Sequence, residues 1–279
     1  MSVFSHILKT SPAYKPDNAQ PAICYIPVKA TSLRCPGKNH AKIGGHPIWH
    51  IAVARALRVF DKVVVDTDDL EILDDPALAE HRESLNDFNG PHGRLAIIPR
   101  HPSCLAPSTN GNDLYKVWDS YTPQGHLVAQ FYVTCPFIHT TTLAQCWQQA
   151  STPTLQAATV CRQVYEFVWE YEEKTDWFVP NYTGLPRSQD LAPRIVETTA
   201  IYITKKDCDT RTPLDHTGLT FIDCSVQALD INSLSDLLIA QSVGNALAKG
   251  AHHDTEPRYA ANFESLSRDF RETVSLLGR

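Results

Sequence analysis

The sequence has 279 residues, 43% of them hydrophobic and 20% charged, and its 25 Lys+Arg against 31 Asp+Glu give a formal net charge of −6. A chain of this length and composition can bury a full core, and its acidic balance argues against a general nucleic-acid binder. No apolar run approaches the roughly 18–20 residues of a membrane span, and residues 1–20 lack the apolar stretch of a signal peptide. We therefore expect a cytoplasmic protein that contacts neither membrane nor nucleic acid.

The first part of the chain alternates between strand and helix patterns. Residues 22–28 (AICYIPV) predict a short buried strand, and a loop rich in Gly, Pro and Lys follows over 29–45. Pro47 suits the first turn of a helix. Residues 62–65 predict a second strand, which ends in the polar turn 66–69.

The same alternation continues to about residue 150. A third strand is predicted over 94–98, a helix capped by Asn110 or Asn112 comes next, and a fourth strand follows over 127–133. This order predicts an α/β fold, a doubly wound and mainly parallel sheet. Such sheets bind ligands beyond the carboxyl ends of their strands. The turns after these strands are therefore the expected binding edge.

The pattern changes after residue 154. Two β-rich runs, 155–171 and 194–204, flank a polar loop that contains RSQDLAP. They predict a β-rich inserted arm, which is a common place for a dimer interface. A short strand near 221–225 and an amphipathic helix over 234–248 follow.

Charge is unevenly distributed along the chain. No acidic residue occurs between Asp17 and Asp61. Six cations lie in that stretch: Lys29, Arg34, Lys38, Lys42, Arg55 and Arg58. A long stretch without acids predicts that something anionic binds there. Arg55 and Arg58 lie one helical turn apart, so we expect them on a solvated helix face.

The loop after the first strand concentrates three of these cations. Lys29, Arg34 and Lys38 alternate with Ser, Pro and Gly. Backbone N–H groups and fixed cations on such a loop can neutralise several phosphate oxygens, which predicts a polyphosphate-binding loop. The loop matches neither the P-loop nor the dinucleotide-binding motif. The alternative is a merely solvated basic loop.

The segment IPVKATSLRCPGKN resembles the N-terminal signature of the acylneuraminate cytidylyltransferase family, approximately I-P-A-R-x-x-S-x-R-x-P-G-K-N. Further similar segments follow in family order: GGHPIWH, KVVVDTDD, Arg100 with LA, YVTCPF, RSQDLAPRIVETTAIYI and LDINSLSD. The resemblance covers about residues 22–240. It implies one cytidylyltransferase domain over 1–250, of the nucleotidyltransferase or glycosyltransferase-A type, with 155–204 as a dimerisation and sugar-binding arm and 251–279 as a C-terminal extension.

The resemblance implies an enzyme that acts as a homodimer, couples CTP to an acidic nine-carbon keto-sugar and releases pyrophosphate. It assigns the triphosphate to Lys29, Arg34 and Lys38, with support from Ser32. It assigns Mg²⁺ or Mn²⁺ to Asp230, together with Asn232. The remaining assignments are Asn39 and Arg100 to the cytidine, Asn112 and Thr134 to the base or ribose, and Arg187, Gln189 and Tyr202 to the sugar acid.

Three positions depart from the family pattern. Lys29 stands where Arg is usual, Asn232 replaces a metal-binding Asp, and Thr198-Thr199 replace Asn-Gly. Lys29 offers phosphate a point charge in place of the two-pronged guanidinium of Arg. Asn232 offers a metal ion an oxygen but carries one negative charge fewer than Asp. Asn39 favours the nine-carbon branch over 3-deoxy-octulosonate synthetases, because those typically have Pro there.

Several alternatives stay open at this point. The protein could be an octulosonate-type synthetase, another nucleotidyltransferase using GTP or making CDP-alcohols, or a non-catalytic nucleotide-sugar-binding relative. Single residues have plainer interpretations too: Asp230 as a helix cap, Arg187 as a surface cation, and Tyr202 as a core residue. Asp236 is expected to organise the start of the helix that follows.

Overall fold

The computed structural model describes residues 2–207, 217–222, 224–250 and 257–277. Its strands are β1 (Ala22–Val28), β2 (Lys42–Ile43), β3 (His46–Pro47), β4 (Lys62–Thr67), β5 (Leu95–Pro99), β6 (Leu127–Phe131), β7 (Ala157–Val164), β8 (Trp169–Glu172), β9 (Trp177–Pro180), β10 (Arg194–Lys205) and β11 (Thr217–Phe221). Its α-helices are α1 (Ile48–Val59), α2 (Leu70–Leu73), α3 (Gly111–Tyr121), α4 (Thr140–Ala150), α5 (Leu234–Lys249) and α6 (Pro257–Ser275).

Seven strands form the central sheet in the order β11-β7-β10-β6-β1-β4-β5. Strands β6, β1, β4 and β5 pair in parallel, as do β11 and β7, whereas β10 runs antiparallel to both of its neighbours. This confirms the predicted mainly parallel α/β sheet. The strand expected near 221–225 lies earlier in the chain, over Thr217–Phe221.

Both faces of the sheet are covered, as a doubly wound sheet requires. Along β1, Cys24 and Ile26 face a core that includes α1, α4, α5 and α6, whereas Ile23 and Tyr25 face a second core closed by α3. Successive strand residues point to opposite faces, so a strand buried on both sides is apolar throughout. That is why AICYIPV contains no charged residue.

The stretch 155–204 divides between two sheets. Strands β7 and β10 belong to the central sheet, while β8 and β9 form a separate antiparallel hairpin. Among the described helices, none is long and apolar enough to cross a membrane.

The structure corrects the prediction that Arg55 and Arg58 are solvated. Both are buried, at 0% and 5% exposure, and both pair with Asp269 of α6. Arg58 Nη1 lies 2.9 Å from Asp269 Oδ1, and Arg55 Nη2 lies 3.3 Å from Asp269 Oδ2. The spacing on α1 shows the shared face of the two arginines, but their partner lies more than 200 residues away in sequence.

Candidate nucleotide site

A cavity of about 490 Å³ opens at the carboxyl ends of β1, β4 and β6. Its walls come from the segment after β1, the turns after β4 and β5, the loop before α3 and the residues after β6. The predicted site residues in its lining are Lys29, Ser32, Arg34, Lys38, Asn39, Arg100 and Thr134. The volume lies within the range of small-molecule sites, and the location is the one that parallel sheets use for ligands.

The loop after β1 brings its cations to this cavity by a turn at Gly37. Gly37 has φ +73°, a left-handed conformation that costs glycine little, and the short helical turn Lys38–His40 follows it. Among the described residues, Lys29 and Arg34 form no ion pair with a carboxylate. Two cations without an acidic partner are therefore available to an anion.

Lys38 differs from the other two cations because it is buried. Its Nζ donates to the carbonyl of Ile231 at 2.8 Å. Burial lowers the pKa of Lys38, the nearby Asp230 opposes that shift, and Arg34 adds to it. An anion bound beside Lys38 would favour its charged form, so Lys38 is suited to gain from a phosphate ligand.

Asn39 lines the cavity and has a buried acceptor without a partner. Its Nδ2 donates to the carbonyl of Lys29 at 2.7 Å, while its Oδ1 is buried and has no hydrogen-bond partner. A buried acceptor without a partner is costly unless a ligand donates to it. Asn39 therefore fits the binding of a group that carries N–H or O–H.

The guanidinium of Arg100 is held in place by a hydrogen bond to Asp66. Its Nε donates to Asp66 Oδ1 at 2.8 Å, and Asp66 Oδ2 accepts from Trp118 Nε1 at 2.7 Å. Asp68 also lines the cavity and accepts the N–H of Ala30 at 2.8 Å, which ties the loop after β1 to the turn after β4. The polar turn 66–69 signals acidic residues at this edge, but the sequence does not show which of them faces the cavity.

Asn112, assigned to the base or ribose, is not in the cavity lining. Asn110 and Gly111 line the cavity instead. Asn110 caps α3 in a capping box with Asp113, and the exposed Asn112 donates its N–H to Asn110 Oδ1 at 2.8 Å. Either asparagine suits a helix cap, so sequence spacing alone leaves both open.

The predicted metal residues lie directly behind the cavity wall. Ile231, between Asp230 and Asn232, accepts from Lys38 and donates its N–H to the carbonyl of Thr134 at 2.9 Å. Asp230 Oδ2 accepts from Asn232 Nδ2 at 2.6 Å, while Asp230 Oδ1 is buried without a partner. Asp230 is not the cap of α5. Ser233 fills that position and forms a capping box with Asp236, as expected for Asp236.

Thr199 is held in an unusual conformation beside Asp230. It has φ +57° at the irregularity in β10, a region that β-branched residues rarely adopt. Its Oγ1 lies 2.7 Å from the carbonyl of Thr198 and 3.3 Å from Asp230 Oδ2, and its proton can be donated to either oxygen. Thr199 is one of the two threonines that replace Asn-Gly in the family pattern. The strained backbone and the metal candidate are therefore in direct contact.

The three residues assigned to the sugar acid lie off the cavity wall. Arg187 is exposed and forms two hydrogen bonds with Asp190, at 2.7 and 2.9 Å, and Gln189 is exposed in the same short helical turn. Tyr202 is buried on β10, donates to Glu197 at 2.7 Å and packs edge-on against Tyr132 of the lining. Tyr202 thus stands in the layer behind the wall.

These features define an α/β fold with a basic cavity at the carboxyl edge of its parallel strands. The fold is similar to that of 4-diphosphocytidyl-2C-methyl-D-erythritol synthase from Anaerococcus prevotii, with 12% identity and a TM-score of 0.54 over 79% of this chain and 95% of that one. A structure of CMP:2-keto-3-deoxy-manno-octonic acid synthetase complexed with CTP has 19% identity and a TM-score of 0.49, over 80% and 98% of the two chains.

Residues 23–82 match the family model described as Cytidylyltransferase. The matched segment includes β1, the basic loop and the turn after β4, which together supply much of the cavity wall. Over these residues the chain is similar to that family. A search of curated proteins found no match.

Proposed function

We propose that the protein is a cytidylyltransferase that couples CTP to an acidic nine-carbon keto-sugar of the sialic, legionaminic or pseudaminic acid type, giving a CMP-sugar and pyrophosphate. One observation carries the proposal. The loop inside the segment that matches the Cytidylyltransferase model places Lys29, Arg34 and Lys38 on a single cavity at the carboxyl edge of the sheet.

In this reaction the anomeric hydroxyl oxygen attacks the α-phosphorus of CTP. A new P–O bond forms, the bond between the α-phosphorus and its bridging oxygen breaks, and pyrophosphate leaves while the hydroxyl proton passes to solvent. Negative charge grows on the α-phosphoryl oxygens and on the leaving group. Catalysis then consists mainly of orientation and electrostatic stabilisation.

The residues of the cavity divide these tasks. Lys29 and Arg34, without carboxylate partners among the described residues, are available to the β- and γ-phosphates. Lys38, held by the carbonyl of Ile231, gives a fixed charge closer to the protein interior. Asn39 Oδ1 is suited to accept from the amino group of cytosine, and Arg100 is held rigidly by Asp66 at the same wall.

Asp230 and Asn232 offer the ligand atoms that Mg²⁺ or Mn²⁺ prefers, a carboxylate and an amide oxygen. The unpartnered, buried Oδ1 of Asp230 fits a site that a cation completes. When bound, the ion supplies positive charge against the phosphate oxygens. Asn232 donates to Oδ2 at 2.6 Å and the Thr199 hydroxyl lies 3.3 Å from the same oxygen, and this leaves Oδ1 as the free ligand atom.

The hairpin β8–β9 supports a homodimer. It carries exposed aromatic side chains on both strands, with Trp169 at 55% and Trp177 at 69% exposure. A two-stranded hairpin is marginal by itself, and a large exposed aromatic surface is typical of an interface. We propose that a second copy covers it, which sedimentation of the wild type and of Trp177→Glu tests.

For the sugar carboxylate, Arg187 remains the candidate cation, and binding requires it to exchange Asp190 for the substrate.

The test is pyrophosphate release from each of the four NTPs with sialic, legionaminic, pseudaminic and octulosonic acids, in Mg²⁺ or Mn²⁺. We expect turnover with CTP and a nine-carbon acid, and a loss of about 100-fold in Lys38→Ala. Lys42→Ala is the matched control, because Lys42 is an exposed lysine of the same acid-free stretch outside the cavity lining.

Two results would overturn the proposal. CTP binding without any CMP-sugar would identify a non-catalytic relative, and turnover only with the eight-carbon acid would make the protein an octulosonate-type synthetase. Full turnover in Lys38→Ala would refute the assignment of the phosphate loop.

A further inference from the structure

A second group of ligand atoms lies on the other side of the turn after β4. His40 Nε2 is 2.7 Å from Asp69 Oδ2, His40 Nδ1 is 4.0 Å from Glu71 Oε2, and one ligand atom from each residue lies within 4.8 Å of the other two. This group contains none of the residues assigned above to CTP, sugar or Mg²⁺.

The group is held in place by the local structure. Asp69 is buried, caps α2 by accepting the N–H of Glu71 on Oδ1 at 3.0 Å, and donates its own N–H to Thr67 Oγ1 at 3.0 Å. His40 ends the helical turn that begins at Lys38, and its N–H donates to the carbonyl of Gly37 at 3.1 Å. Two of the three side chains are therefore positioned before any ion binds.

The two carboxylates of the group have no cation near them other than His40 among the described residues. Among the described residues, the ion-pair partner of Asp69 and of Glu71 is His40 alone, and no Lys or Arg pairs with either carboxylate. With a neutral imidazole, the three side chains carry two negative charges. Imidazole nitrogen and carboxylate oxygen are both ligands of Zn²⁺ and related transition ions, and three protein ligands leave a coordination position open to solvent.

We propose that His40, Asp69 and Glu71 bind a divalent transition ion of the Zn²⁺ or Co²⁺ type. The ion would join two segments that also build the cavity. His40 follows Asn39, and Asp69 follows Asp68, and both Asn39 and Asp68 are in the lining. Its role is then to fix the basic loop against the turn after β4, where the hydrogen bond from Ala30 to Asp68 already joins them.

The test is titration of the purified chain with Co²⁺, followed by visible absorption, and with Zn²⁺, followed by calorimetry. We expect one saturable Co²⁺ site that His40→Gln abolishes and Glu71→Gln weakens at least 10-fold. Glu71 is 84% exposed, so its substitution leaves folding intact. Asp230→Asn should leave the Co²⁺ spectrum unchanged, which separates this site from the Mg²⁺ proposal.

His92→Gln is the matched control. His92 also pairs with a glutamate, Glu83, at 2.9 Å, but it is 85% exposed and belongs to no three-residue group among the described residues. The proposal is overturned if wild type shows no saturable Co²⁺ binding, or if His40→Gln and His92→Gln bind Co²⁺ as the wild type does. Metal binding is measured without CTP, so this outcome is independent of the cytidylyltransferase proposal.

Discussion

Two groups of cations lie in the same acid-free stretch between Asp17 and Asp61, and the fold places them in opposite environments. Lys29 and Arg34 face the cavity with no carboxylate partner among the described residues. Arg55 and Arg58 are buried under α6 and share Asp269. The same local excess of positive charge thus indicates a ligand site around Lys29 and Arg34, but internal ion pairs around Arg55 and Arg58. What separates the two groups is a carboxylate contributed from far along the chain.

The largest expected change in stability comes from the buried arginines and Asp269. Asp269→Ala leaves the buried Arg55 without a carboxylate partner, and we expect it to lower the free energy of unfolding by about 3–5 kcal/mol. Arg58→Ala leaves Asp269 paired with Arg55, so we expect a smaller loss, of about 2–3 kcal/mol. Urea denaturation measures this. Arg34→Ala, in the exposed loop, should change stability by less than about 0.5 kcal/mol. Equal losses in Arg34→Ala and Arg58→Ala would remove the distinction between the two groups.

A smaller effect, a loss of roughly 2 kcal/mol in the free energy of unfolding at acid pH, is expected from His50 near the start of α1. Burial lowers the pKa of His50 from 6.5 to about 4, and His46 and His40 add to the shift. Between these two values the unfolded chain binds the proton more readily, so stability falls as pH drops from about 6.5 to 4. His50→Gln should flatten this part of the stability curve, whereas the exposed His92→Gln should not. A wild-type curve that stays level across this window would contradict the expectation.

The smallest effect, a gain of about 1 kcal/mol in the free energy of unfolding, is expected at Thr199, beside the metal candidate Asp230. Thr199→Gly removes a strained left-handed threonine, so we expect a more stable fold. Because Asp230 also loses its contact with the Thr199 hydroxyl, we expect a lower Mg²⁺ concentration for the half-maximal rate. Thr199→Ala keeps the strain and removes only the hydroxyl. Thermal denaturation and the Mg²⁺ concentration for half-maximal rate separate the two roles. A destabilised Thr199→Gly would show that the conformation is not strained.

Local pattern predicts those parts of the molecule that local physics determines. AICYIPV is apolar at every position and forms the strand Ala22–Val28, and Pro47 precedes a helix that begins at Ile48. The loop cations reach the cavity because parallel strands end at one edge. These features depend on neighbours within a few residues, or on the general geometry of the sheet.

Contacts between distant segments were beyond the reach of the sequence pattern. Nothing near Arg55 signals Asp269, and nothing near His40 signals Asp69. The choice of Asn110 over Asn112 depends on which asparagine caps α3, and sequence spacing allows both. Position 199 could be noted as unusual, but only the backbone shows that the threonine there is left-handed.

The pairing of α1 with α6 also bears on how the chain is made. Arg55 and Arg58 leave the ribosome some 200 residues before Asp269 does. Until then, both guanidinium groups lack the carboxylate that makes their burial tolerable. Packing of α1 with both arginines buried and paired therefore requires α6. Completion of this part of the core therefore waits until α6 has been synthesised.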